Sequence, residues 1–182
     1  MSMKELRGTN AILTGANGGL GSNLAIALAR EGVNLLLVGY PGLGLEDLQS
    51  RVRQCGVQAH ALVADLSTRG GRDAVVQTAV SQLGTIDLLI NNAGVEHNCL
   101  YHELAPEALR EVLAVNLEAP MSLVHQVLPY MLAKGSGHIV NLSSLAGKSG
   151  PAMQEPYAAT KAALCAFTFS LSSSYRGTGV SA

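Results

Sequence analysis

The sequence predicts an α/β fold: a doubly wound parallel sheet with helices on both faces. Three observations carry this. Short apolar runs at 11–14, 35–38, 59–63, 87–91 and 138–143 are continuous rather than alternating, as strands covered on both faces require. Segments of helical period separate them. Gly32, Gly56, Gly84 and Gly135 stand where those helices must stop. Strands and helices in alternation build right-handed units around a parallel sheet.

The elements follow in order. After the first strand, Leu20, Leu24, Ala27 and Leu28 form one helical stripe. Val76, Ala79, Val80 and Leu83 fall at i, i+3, i+4 and i+7 before the fourth strand, and Val124, Val127, Leu128 and Met131 do the same before the fifth. A last helix is predicted over 154–175. Gly177 to Ala182 then reads as a turn and the opening of a sixth strand, which a doubly wound sheet is expected to continue past Ala182. No linker, repeat or low-complexity tract interrupts 1–182, so a single domain is expected, incomplete at its C-terminal side.

Composition excludes several classes. Of the 182 residues 48% are apolar and 14% charged, which excludes a disordered chain. A net charge of −1 gives no reason to expect nucleic acid or an anionic membrane as partner. Cys55, Cys99 and Cys165 show neither CxxC nor metal-ligand spacing, so free thiols and no metal are expected. The first residues carry no signal-peptide run, and no stretch approaches eighteen apolar residues. A soluble, cytoplasmic protein is the expectation.

Four constellations carry chemistry. Thr14-Gly15-Ala16-Asn17-Gly18-Gly19-Leu20-Gly21 follows the first strand and opens the first helix. Glycines there permit a tight turn and close approach of backbone to a pyrophosphate, and the helix start supplies free N–H groups. Asp65 ends the third strand, where a carboxylate can accept from an adenine amino group or simply serve a turn. Asn91-Asn92-Ala93-Gly94 ends the fourth strand with small residues, which leave room for a flat ligand or form a turn. Tyr157 and Lys161 lie four apart on one helical face, with Ser144 thirteen residues before the tyrosine. Phenol, ammonium and hydroxyl together can move a proton on or off a carbonyl oxygen.

These motifs, in this order and joined by Val115-Asn116, resemble the classical short-chain dehydrogenase/reductase family, from about Gly8 to the last residue. The resemblance implies a Rossmann-like fold and a hydride exchanged between a nicotinamide cofactor and a carbonyl or secondary alcohol. It implies Tyr157 as acid and base, Ser144 as the group that orients the substrate oxygen, and Lys161 on the nicotinamide ribose. Asn116 would hold a water leading from Lys161. Ser143 is the alternative to Ser144; the spacing to Tyr157 favours Ser144. Cofactor contacts are implied for Gly15, Asn17, Gly19, Leu20, Gly21, Tyr40, Asp65, Leu66, Asn92, Ala93 and Gly94, together with Tyr157 and Lys161. Homodimers or homotetramers, packed through 115–134 and 154–175, are implied as well, as is a substrate lid beyond Ala182.

The chain departs from the family pattern at the cofactor. Many NAD-using members end the second strand in an acid; Gly39 stands here. Many NADP-using members carry a basic residue at the positions held here by Tyr40 or Gly18. NAD and NADP both remain in play, and the missing carboxylate tips the reading toward NADP. Pro41 to Gly44 forms a glycine-rich connection that could curl around the adenosine. The stretch 147–155, with Val95, Glu96 and His97, is expected to wall the substrate pocket, while His60, His102, His125 and His138 read as structural or surface groups. The leading reading is an NAD(P)-dependent oxidoreductase acting on a small carbonyl or alcohol. The alternative is a truncated, non-catalytic dinucleotide-binding module or an oligomerisation partner.

Overall fold

A computed structural model describes residues 6–41 and 44–182. Gly42 and Leu43 of the glycine-rich connection lie outside the described residues, as do 1–5. Six parallel strands run β1 Asn10–Thr14, β2 Asn34–Gly39, β3 Ala59–Val63, β4 Leu88–Asn91, β5 Gly137–Asn141 and β6 Val180–Ser181. Their order is β3-β2-β1-β4-β5-β6, with all pairs parallel. The order reverses between β1 and β4, and the C-terminal strand ends open a crevice there.

The helices are α1 Gly19–Arg30, α2 Leu45–Arg53, α3 Arg69–Leu83, α4 Pro106–Leu113, α5 Ala119–Lys134, α6 Ala146–Ser149 and α7 Glu155–Ser174. A π-helical turn, Ala114–Glu118, joins α4 to α5.

The sheet sorts its side chains by the two-residue period of a strand. Ile12, Leu36, Val38, Leu89 and Ile139 enter the core shared with α3, α5 and α7. Ala11, Leu13, Leu35, Leu37 and Ile90 enter the core under α1 and α2. Both faces being covered explains the continuous apolar runs. Val76 and Ala79 of α3, and Val124, Val127, Leu128 and Met131 of α5, are buried as their spacing predicts, with Val80 and Leu83 packed against them. Gly135 closes α5 at φ 68°, a left-handed value that favours glycine.

Three expectations need correction. The fifth strand stops at Asn141, so Leu142 and Ser143 are loop rather than strand. The buried residues of α1 are Gly21, Ala25 and Ala29, not the leucine stripe. Leu20 is 60% exposed, and Leu24 and Leu28 only partly buried. Small residues let α1 sit close on the first strand, and that closeness outweighed side-chain size. The stretch 147–155 contributes no wall to the cleft described next. There α6 turns down onto α7 instead: a Cβ on Gly147 would sit 2.7 Å from the Ala162 nitrogen.

Candidate cofactor and catalytic site

A cleft of about 490 Å³ opens across the carboxyl ends of β1, β2 and β4. It is lined by each residue for which the family resemblance implies cofactor contact: Gly15, Asn17, Gly19, Leu20, Gly21, Tyr40, Asp65, Leu66, Asn92, Ala93, Gly94, Tyr157 and Lys161.

At Gly15 and Gly21 the glycine loop is held by contacts that leave no space for added atoms. A Cβ on Gly21 would lie 2.0 Å from the Gly15 carbonyl oxygen. A Cβ on Gly15, whose φ is 63°, would lie 2.8 Å from the Ala93 Cα. The loop therefore folds directly against Asn92-Ala93. Asn92 Nδ2 donates to the carbonyls of Thr14 at 2.9 Å and Gly15 at 3.1 Å. In return Thr14 Oγ1 accepts the N–H groups of Asn92 at 3.0 Å and Ala93 at 3.1 Å. Thr14 is a positioning residue that the motif contained but sequence reasoning did not single out. Helix α1 begins at Gly19 with neither a side-chain cap nor an acid in its first turn, so its first N–H groups remain available to an anion.

Asp65 serves a turn while lining the cleft: its Oδ1 accepts the Ser67 N–H at 2.9 Å and the Ser67 hydroxyl at 2.7 Å. Behind it, Arg72 is 6% exposed and bonds the carbonyls of Leu66 and Ser67 at 3.1 and 3.2 Å and Glu118 Oε1 at 2.6 Å. It ties the loop after β3 to the π-helical turn. No local pattern marked it, because its partners sit on separate elements.

Of the catalytic candidates, Tyr157 and Lys161 of α7 line the cleft, while Asn116 on the π-helical turn and Ser144 on the loop after β5 are not among its lining residues. Lys161 is 4% exposed and donates from Nζ to the Leu142 carbonyl at 2.8 Å. Its Nζ lies 5.5 Å from the centre of the Tyr157 ring. Burial pushes the Lys161 amine below the usual lysine value, and the Cys165 thiol one turn on pulls it back up. Gly94 keeps the space beside it open, since a Cβ there would come 3.7 Å from Nζ.

Asn116, fully buried, stands behind the cleft wall. Its side chain is committed to Val95: Oδ1 accepts the Val95 N–H and Nδ2 donates to the Val95 carbonyl, both at 2.8 Å. Pro120, four residues on, has no N–H with which to close a helical bond to the Asn116 carbonyl. The two serines divide their work. Ser143 lines the cleft, but its hydroxyl donates to the Lys161 carbonyl at 2.9 Å and faces Cys165 Sγ at 3.2 Å. Ser144 Oγ accepts the Ala146 N–H at 3.1 Å, and its own O–H donates to no group among the described residues.

His97 pairs with Glu111 through Nε2 and Oε2 at 2.9 Å. Glu111 and Glu96 line the cleft mouth, and Glu111 carried no signal in the sequence. Among the described residues no group of three potential metal ligands forms, and no helix is long and apolar enough to cross a membrane.

The profile of the short chain dehydrogenase family matches residues 9–182. A ketoacyl reductase, HetN, from Nostoc sp. is 39% identical over 178 residues, covering 98% of this chain and 62% of its own. A 3-oxoacyl-(acyl-carrier-protein) reductase, FabG, from Staphylococcus aureus is 32% identical over 173 residues, covering 94% of this chain and 70% of its own. The crystal structure of an NAD⁺-bound xylitol dehydrogenase superposes with a TM-score of 0.90 at 29% identity, covering 97% of this chain and 68% of that one. The chain thus spans roughly two thirds of the length of these relatives, and it belongs to the short-chain dehydrogenase family.

Proposed function

We propose that the protein is an NAD(P)-dependent oxidoreductase that transfers hydride between the nicotinamide cofactor and a carbonyl or secondary alcohol. One observation carries this: a buried lysine amine beside a tyrosine ring, opening into the same cleft as a glycine loop packed too tightly at Gly15 and Gly21 for a side chain. The cradle fits a dinucleotide. Free N–H groups at Gly19 and beyond suit a pyrophosphate, and the bare backbone of Gly15 and Gly21 lets the loop fold tightly enough to present them. When bound, the cofactor supplies or accepts the hydride.

The chain's own residues do the rest. Tyr157 gives a proton to the substrate oxygen in reduction and takes it back in oxidation. Lys161, anchored on Leu142, holds its charge near the phenol and stabilises the phenolate. Ser144, with its proton free, orients the substrate oxygen. Asn116 serves the proton path through its carbonyl, its carboxamide being spent on Val95. Lacking a carboxylate at Gly39, the adenosine end does not repel a 2′-phosphate, so NADP is the favoured cofactor. The substrate is a small carbonyl or alcohol; HetN and FabG reduce ketoacyl groups by name, and that class is the first to try. Met121 and Phe169 remain 41% and 74% exposed on 115–134 and 154–175, the segments through which a homodimer or homotetramer would pack.

The test is Tyr157→Phe, followed by nicotinamide absorbance for turnover and fluorescence for binding. Turnover should fall by about a hundredfold or more while cofactor affinity stays within about threefold. Unchanged turnover would sink the mechanism. Loss of turnover and binding together would assign Tyr157 to cofactor binding instead.

A further inference from the structure

We propose that Asn17 sets cofactor specificity at the adenosine end by occupying the volume into which a side chain at position 39 would project. This rests on the dinucleotide reading above and concerns how the chain enforces it.

Gly39 closes β2 and is buried. A Cβ built on it would lie 2.6 Å from Asn17 Oδ1, 2.8 Å from Cγ and 3.0 Å from Nδ2. Such overlap would be cheap if the carboxamide were a loose end. It is not. Asn17 Nδ2 donates to the Tyr40 carbonyl at 2.8 Å, and the Tyr40 N–H donates to Asn17 Oδ1 at 3.2 Å. This two-point clamp fastens the loop after β1 to the end of β2. Any side chain at position 39 must expel the carboxamide and break both bonds.

The consequence is chemical. A carboxylate at the end of β2 would repel a 2′-phosphate and accept from ribose hydroxyls. The clamp closes that position to every side chain, so β2 presents the ribose with a neutral carboxamide and the exposed Tyr40. Asp65, on the neighbouring strand end, is turned to Ser67. The site therefore admits a 2′-phosphorylated dinucleotide. Charge logic alone recommends Gly39→Asp to convert the site to NAD; here the conversion needs a second change at position 17.

Gly39→Asp, Asn17→Ala and the double variant form the cycle. Each is titrated with NADH and NADPH by nicotinamide fluorescence and melted without cofactor. Gly39→Asp alone should weaken both dinucleotides by about tenfold and lower Tm. The double variant should recover NADH affinity and much of the Tm, while NADPH stays about tenfold weak. A double variant no more stable than Gly39→Asp overturns the proposal, as does a Gly39→Asp chain that binds NADH as tightly as the unmodified protein. If the unmodified protein binds neither dinucleotide, the dinucleotide reading falls instead, and the melting temperatures alone decide whether Asn17 and Gly39 exclude one another.

Discussion

The two halves of the cleft are built by opposite means. Along β1 and the start of α1 the wall is backbone: Gly15 and Gly21 have no side chains, and neighbouring main-chain atoms stand where those would be. Around the loop after β5 and α7 the wall is side chains: Tyr157, Lys161 and Ser143, each held by a named bond or ring contact. The first half recognises shape and offers N–H groups. The second half offers groups that can carry a proton. It follows that the first half should fail when atoms are added, and the second when particular atoms are removed.

Gly21→Ala is the sharpest way to break the backbone half. One methyl would sit 2.0 Å from the Gly15 carbonyl, an atom that cannot swing aside. A loss of about 3 kcal/mol in stability is expected, together with loss of cofactor binding. Gly19→Ala is the matched control, since its Cβ would meet nothing within 4 Å. Its stability should stay within about 0.5 kcal/mol. Urea unfolding of both variants makes the measurement. Equal stabilities would mean that the loop is looser than its contacts.

Thr14→Val probes the joint between the halves. The change is close to isosteric and deletes the oxygen that accepts from Asn92 and Ala93. Thr14 is 1% exposed, and without its hydroxyl the two part-buried N–H groups lose their partner. The expected cost is about 2 kcal/mol, with weaker cofactor binding because the loop loses its brace. Thr14→Ser should restore most of both. A valine variant as stable as the serine one would show that the two halves do not lean on this hydroxyl.

Legibility in the sequence followed the same division. The glycine loop and the Tyr157–Lys161 pair were readable because local spacing defines them: a turn between strand and helix, and one turn of helix. Thr14, Arg72 and Glu111 were not. Their partners lie 78, 46 and 14 residues away, and no periodicity links a threonine at the end of β1 to Asn92. The stripe on α1 misled for a related reason. Large apolar residues mark a buried face only where space allows them, and the close approach of α1 to its loop demanded Gly21, Ala25 and Ala29 instead. The two serines show a finer limit. Spacing selected Ser144, but only the bond from Ser143 to the Lys161 carbonyl reveals that Ser143 is committed to holding α7.

The smallest expected effect lies in the side-chain half, in its dependence on pH. Burial holds the Lys161 amine below the ordinary value of 10.5, so its folded value lies beneath its unfolded one. Below the folded value both states are protonated, and burying that charge costs stability. Between the two values the unfolded chain holds a proton that the folded chain has released, so stability contributed by this group rises with pH. Lys161→Met has no such proton. The stability difference between the unmodified protein and Lys161→Met should therefore move in favour of the unmodified protein as pH climbs toward 10.5. Catalysis should run the other way, because the ammonium that supports Tyr157 disappears through the same window. Stability and turnover diverging with pH would be the signature of a lysine buried for its chemistry rather than for the fold. A flat stability difference across the window would place that amine in water.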